Sequence, residues 1–165
     1  LHCPQQYITV SPASVWFTKQ FPAEKWAAFL DRVGEEYPVF LLGAKTDIET
    51  CELIRKRSSH RNIQILAGQL TLRQSAAAML GARMNFVNDS APLHLASAVN
   101  APVTAVFCST LPAFGFTPLS DRSFIVETSQ KLPCRPCGLH GKKACPKGHF
   151  KCSDIAVEEL LAKLD

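Results

Sequence analysis

No apolar run in this chain reaches the roughly 18–20 residues that a bilayer-crossing helix needs. The first residues also lack the basic stretch followed by an apolar one that marks a secretory signal. No G-x-G-x-x-G occurs, which argues against the usual dinucleotide fingerprint. The segment GLHGKKA (138–144) resembles a phosphate-binding P-loop only superficially: its glycine spacing is short, no hydroxyl residue follows the lysine, and no strand–loop–helix frame surrounds it. The excess of charge of one sign is small as well. A net +4 suits an anionic ligand without requiring a polyanion, and RKR (55–57) reads as the solvated end of a helix. The seven cysteines are an odd number, which disfavours an even disulfide framework of the exported type. Three of them, Cys3, Cys51 and Cys108, stand among apolar neighbours and read as small core residues.

What is present is an alternation. A length of 165 residues suits one domain with a single sizeable core. A start at Leu1 rather than Met leads to the expectation of a piece of a longer protein. Strand-like runs occur at 7–10, 38–44, 63–66, 84–88, 103–108 and 123–127. Helical patterns separate most of them. One starts at Pro22, with Trp26, Phe29, Leu30, Val33 and Tyr37 on its apolar face. The next is expected to open on a Thr46/Glu49 capping box with Ile48, Cys51 and Ile54 inward. Thr71 and Gln74 repeat that spacing ahead of an expected face of Leu72, Ala76, Met79 and Leu80. A fourth spans 89–99, and a last is expected from Ser153 as cap, carrying Ile155, Val157, Leu160, Leu161 and Leu164. Such β-α alternation with short connections predicts an α/β, doubly wound parallel sheet with helices on both faces.

Ligands of such sheets sit beyond the carboxyl ends of the strands, here the loops from Ser11, Gly43, Ala67, Asn88 and Ser109. The run VNDSAPLHLASAV ends a strand and opens a helix with small residues, where backbone amides and the helix dipole favour an anion. His94 lies one turn in and reads either as a packing residue or as a donor to that anion. Asp89 beside a phosphate would be repelled, so it suits a cap or an acceptor for sugar hydroxyls. Lys19, in the first strand–helix loop, is either solvated or a point charge for phosphate. Asp47, after the second strand, is either a ribose acceptor or a partner of the helix dipole.

The segments SVWFTKQFPAEKWAAFL, VNDSAPLHLASAVNAPVTAVF and PCRPCGLHGKKACPKGHFKC resemble glycosyltransferase family 9, the bacterial lipopolysaccharide heptosyltransferases. The resemblance runs from about Tyr7 to Val157. It implies the Rossmann-like carboxy-terminal half of a GT-B glycosyltransferase, with the amino-terminal acceptor domain and its general base absent from this chain, so that the fragment alone does not transfer sugar. The implied activity is inverting transfer of heptose from ADP-heptose to a lipopolysaccharide inner-core acceptor. The implied roles are Ser14 and Lys19 at the diphosphate, Asp47 at the ribose, Leu70 against the adenine, Asp89 by the heptose, and Ser90 and His94 near the phosphates. No catalytic cofactor is implied, Lys19 and His94 offsetting the leaving-group charge. The implied location is the cytoplasm, including the inner face of the bacterial inner membrane. Val15 and Ala91 depart from the family pattern, which leaves room for another donor, UDP- or GDP-linked.

The stretch 134–152 concentrates Cys134, Cys137, Cys145 and Cys152 with two histidines and five basic residues. Its C-x-x-C pair is followed by two cysteines with six residues between them, which leaves three states open: free thiols, a structural zinc site, with His140 and His149 as alternative ligands, or disulfides. The loop is expected to brace the segment before the last helix, away from the donor phosphates. Its charge also admits a nucleic-acid-binding module. That reading wants interleaved aromatics, and only Phe150 answers.

Overall fold

The computed structural model describes residues 6–164. Cys3 lies outside them. Six strands form one sheet: β1 (Ile8–Ser11), β2 (Val39–Leu41), β3 (Ile63–Ile65), β4 (Met84–Asn88), β5 (Val103–Phe107) and β6 (Ser123–Glu127). Their order is β3-β2-β1-β4-β5-β6 and every pairing is parallel. This is the doubly wound arrangement that the alternation predicts. The order reverses between β1 and β4, so the loops leaving those strands diverge and open a crevice there.

Five helices cover the two faces: α1 (Ala23–Leu30), α2 (Ile48–Arg57), α3 (Leu72–Leu80), α4 (Ala91–Ala98) and α5 (Val157–Leu161). The strands alternate side chains between two apolar clusters. One gathers Ile8, Val10, Met84 and Phe86 with Trp26, Phe29 and Leu30 of α1, Cys51 and Ile54 of α2 and Leu160 of α5. The other gathers Phe40, Val87, Ala105 and Phe107 with Met79 of α3 and Leu93 and Ala96 of α4. Burying each such large side chain is worth about 1.5–3 kcal/mol, so both faces contribute to stability. Between the central strands, Thr9 stands opposite Asn85 and its hydroxyl donates to Asn85 Oδ1 at 2.5 Å. The Asn85 amide donates to the carbonyls of Met79 and Pro102, so this buried polar pair is satisfied.

Several local expectations are corrected. Pro22 precedes α1 as its cap rather than occupying the first helical position. The Thr46/Glu49 box does not form. A 3-10 turn at Lys45–Asp47 leads into α2, and the Asp47 carboxylate accepts the amide of Ala44 at 2.8 Å. Ile48 is consequently exposed and lies over Gly68 rather than in the core, while Cys51 and Ile54 do point inward. The Thr71/Gln74 box forms as expected, with both reciprocal bonds present. The face of α3 is rotated from the expected one: Ala78 and Met79 are buried, and Leu72 and Leu80 are exposed. Three consecutive alanines (76–78) put small apolar residues on several sides of the helix, so spacing alone could not choose the face. Ser153 caps no helix. It ends a 3-10 turn, its hydroxyl donates to the carbonyl of Phe150, and α5 starts only at Val157.

Candidate functional site

The loop after β1 is shaped by its neighbours before it carries any charge. Asn88, fully buried at the end of β4, donates from Nδ2 to the carbonyl of Pro12 at 2.7 Å and accepts the amide of Phe21 at Oδ1 at 3.0 Å. One side chain thus holds both ends of the loop. Within it, Gln20 donates to the carbonyl of Ser14 at 2.7 Å, and Phe17–Lys19 form a 3-10 turn. The turn places Lys19 over the end of β4. Its Nζ lies 2.7 Å from Oδ2 of Asp89, and both side chains are largely buried (14% and 5% exposed). The same carboxylate oxygen accepts the hydroxyl of Thr110, beyond β5, at 2.6 Å. A cation and an anion therefore meet at the crevice between β1 and β4, with β5 closing one side.

The ammonium of Lys19 has three N–H groups, and one is directed at Asp89. The remaining two can address phosphate oxygens without breaking the pair. Ser11, buried at the carboxyl end of β1, has a hydroxyl without a partner among the described residues.

The other residues expected at the site lie on the same sheet edge but are not drawn into this contact. Ser14 is half-buried and gives its carbonyl to Gln20. Ser90 precedes α4, where no side chain caps the first turn, and its hydroxyl donates to the carbonyl of Asn88 at 3.3 Å. His94 is exposed one turn into α4, with its ring edge-on to Phe116 at 6.5 Å. Asp47 closes its own turn, accepting from Ala44 and from the Thr46 hydroxyl at 3.1 Å. Leu70 is half-buried against the second apolar cluster.

The cysteine-rich loop is not where the sequence placed it. Rather than only bracing the segment before the last helix, it packs on the turn that carries Lys19. The amide of Thr18 donates to the carbonyl of Lys142 at 3.1 Å, and the amide of Lys142 donates to Thr18 Oγ1 at 2.8 Å. Ser109, at the end of β5, donates from its hydroxyl to Thr18 Oγ1 at 3.0 Å and accepts the amide of Cys137 at 2.9 Å. Asn88, Ser109, Thr18 and Thr110 are thus the residues that the sequence did not reveal as parts of the corner. Asn88 and Ser109 had a signal, since they stand at strand ends. Thr18 and Thr110 had none.

Within that loop Cys134, Cys137, Cys145, Cys152 and His149 line one cavity of about 220 Å³. None of the four cysteines is in a disulfide, and Cys134 Sγ lies 3.8 Å from His149 Nε2. Burial, then repulsion from Cys137 and Cys145, pushes Cys152 up to about 11. Cys145 is different. Slight burial raises it, but the amides of Phe150, Lys147, Gly148 and His149 outweigh that and hold it below the ordinary thiol range. Among the described residues no three His, Cys, Asp or Glu side chains meet at metal-holding distance. Phe150 packs on Phe17, ring centres 5.0 Å apart, which takes up the one aromatic that a nucleic-acid reading required.

A parallel sheet in this order, with helices on both faces, is a doubly wound α/β domain, and its lysine–aspartate pair stands at the switch point. The profile of glycosyltransferase family 9 (heptosyltransferase) matches residues 2–146, and the chain belongs to that family. It is 30% identical over 139 residues to lipopolysaccharide heptosyltransferase 1 of Pseudomonas aeruginosa, covering 84% of this chain and 37% of that protein. Among solved structures it is similar to E. coli ADP-heptose lps heptosyltransferase II, with a TM-score of 0.75 at 23% identity over 97% of this chain and 46% of that one. It is also similar to the iron-containing dodecameric glycosyltransferase TibC of enterotoxigenic E. coli, with a TM-score of 0.68 at 19% identity over 98% of this chain and 45% of that one. The chain therefore spans less than half the length of these relatives. Among the described residues no helix is long and apolar enough to cross a membrane.

Proposed function

We propose that this chain is the nucleotide-sugar domain of an inverting heptosyltransferase, holding ADP-heptose along the carboxyl edge of its sheet. The observation that carries the reading is the Lys19–Asp89 pair at the β1/β4 crevice. Family membership and the names of the relatives support it. The two unengaged N–H groups of Lys19 would take diphosphate oxygens, joined by the amides at the start of α4 and by His94 one turn later. Ser14 would stand beside the diphosphate, Ser90 near its phosphates, Asp47 near the ribose and Leu70 near the adenine. Asp89 would hold Lys19 with one oxygen and offer the other to a heptose hydroxyl.

In the reaction a lipopolysaccharide core hydroxyl attacks the anomeric carbon opposite the diphosphate. The new glycosidic bond forms as the carbon–phosphate oxygen bond breaks, and ADP leaves with the extra negative charge. Lys19 and His94 would offset that charge, which is where fixed donors contribute most. The hydroxyl proton goes to a base carried outside these residues, on the half of the enzyme that binds the acceptor. On this reading the protein would act at the inner face of the bacterial inner membrane, where donor and acceptor would meet.

Calorimetric titration with ADP, UDP and GDP tests the donor. ADP should bind preferentially, and Lys19→Met should weaken it about 10- to 100-fold, the worth of hydrogen bonds to a charged group. His94→Ala, lying further out, should cost less. Equal binding of UDP or GDP would keep the domain and change the donor; no effect of Lys19→Met would remove Lys19 from the site.

The cysteine cavity is the second element to test. Four soft thiols around one space suit zinc or iron, and the amides around Cys145 favour the thiolate that ligation needs. Such an ion would be held by Cys134, Cys137, Cys145 and Cys152 after the side chains close on it, and its contribution would be to the fold of the loop. Elemental analysis of protein purified under reducing conditions should find about one metal per chain, lost in Cys145→Ser. Metal-free wild-type protein would leave the cluster as thiols.

A further inference from the structure

We infer that the cysteine-rich loop is a positioning element of the donor corner: its Gly141–Lys142 tip grips Thr18, and Thr18 fixes where the amine of Lys19 stands. The inference rests on the reading of Lys19 as the diphosphate contact.

Thr18 is the hub of this arrangement. It is fully buried, and its side-chain oxygen is shared between two elements far apart in sequence. It accepts from Lys142 N at 2.8 Å and from Ser109 Oγ at 3.0 Å, and donates toward Lys142 O at 3.3 Å. With the Thr18 amide also on Lys142 O, the turn at Phe17–Lys19 is fastened to the loop by main chain and side chain together. Gly141 completes the grip. Its φ is +82°, and a Cβ there would lie 3.0 Å from both Lys19 Cγ and Thr18 Oγ1. The loop backbone thus lies directly against the stem of Lys19. A lysine has a long flexible stem, so an amine that must meet a diphosphate benefits from having its base and stem held beforehand. The loop is pinned in turn from below. Cys137 N donates to Ser109 O, and Arg135 Nη2 donates to the carbonyls of Phe107 and Thr110 at 3.2 and 2.8 Å. Thr110 is also the residue whose hydroxyl meets Asp89, so the loop reaches both members of the ion pair, one through Thr18 and the other through Thr110.

The test uses the whole chain and two readouts. The first is the acetylation of Lys19 by an activated acetyl ester, scored by mass spectrometry against the exposed Lys56. Lys19 should be slow to label in the wild type. Thr18→Val keeps the shape and loses the hydroxyl, and should raise Lys19 labelling several-fold. Thr18→Ser keeps the hydroxyl and should restore the protection. The second readout is ADP affinity. Thr18→Val should lose about tenfold, Thr18→Ser less than twofold, and Thr18→Val added to Lys19→Met should cost no more than Lys19→Met alone. Should Thr18→Val fail to fold, Gly141→Ala perturbs the same contact from the loop side and is expected to expose Lys19 in the same way. Unchanged labelling and affinity in Thr18→Val, or an equal loss of affinity with and without Lys19, would overturn the inference. If Lys19→Met leaves ADP binding intact, the donor reading fails, and the labelling still decides whether the loop positions Lys19.

Discussion

Asp89 has two oxygens and several demands on them. Oδ2 already meets Lys19 and Thr110, both from loops remote in sequence. A largely buried ion pair costs much of its Coulomb gain in desolvation, so its presence is weak evidence of added stability. Removing one partner is another matter. Asp89→Ala leaves an unpaired ammonium and an orphaned Thr110 hydroxyl, and should destabilise the chain by about 3 kcal/mol in urea unfolding. That is the lower part of the range for a broken buried pair, because Lys19 can swing to water. Asp89→Asn keeps an acceptor for Thr110 and should cost less. A loss under about 1 kcal/mol for Asp89→Ala would show that the pair behaves as a surface one.

Elements are joined at their ends by similar single residues. Asp31 follows the last turn of α1, and its Oδ1 accepts Ser58 Oγ at 2.7 Å, Ser59 N at 2.6 Å and Ser59 Oγ at 3.0 Å. It ties the end of α1 to the segment after α2. Burial raises the Asp31 carboxyl, but the Ser58 hydroxyl, the Ser59 amide and hydroxyl and the His60 amide together hold it below its ordinary 3.8. A depressed carboxyl stabilises the fold fully above its unfolded value and ceases to do so as pH falls through its folded value. Asp31→Asn should therefore be less stable than wild type at pH 6, with the gap closing below about pH 3.8. Unfolding curves at pH 6, 4 and 3 would check this; a gap that does not narrow at all between pH 6 and pH 3 would assign the difference to geometry rather than charge. The same scale explains the misread helices. The Thr71/Gln74 box is a local exchange of two bonds and could be read from spacing, whereas the entry to α2 depended on an Asp47 turn packed beside Gly43 and Gly68.

For the whole molecule, the sequence by itself determined the doubly wound class, the limits of β4 and β6, and the apolar stripe of α1 as far as Leu30, the helix ending before the expected Val33 and Tyr37. Each of these follows from periodicity or from capping chemistry that operates over a few residues. It also carried the family, because the motifs that resemble glycosyltransferase family 9 are contiguous. Only the tertiary structure decided that Lys19 meets Asp89, that Thr110 shares that carboxylate, and that the cysteine-rich loop leans on Thr18 rather than merely bracing the segment before α5. Thr18 and Lys142 are 124 residues apart. No local pattern encodes such a contact. It exists because a parallel sheet gathers the carboxyl ends of all its strands on one edge, and the loops that leave them must then pack on one another.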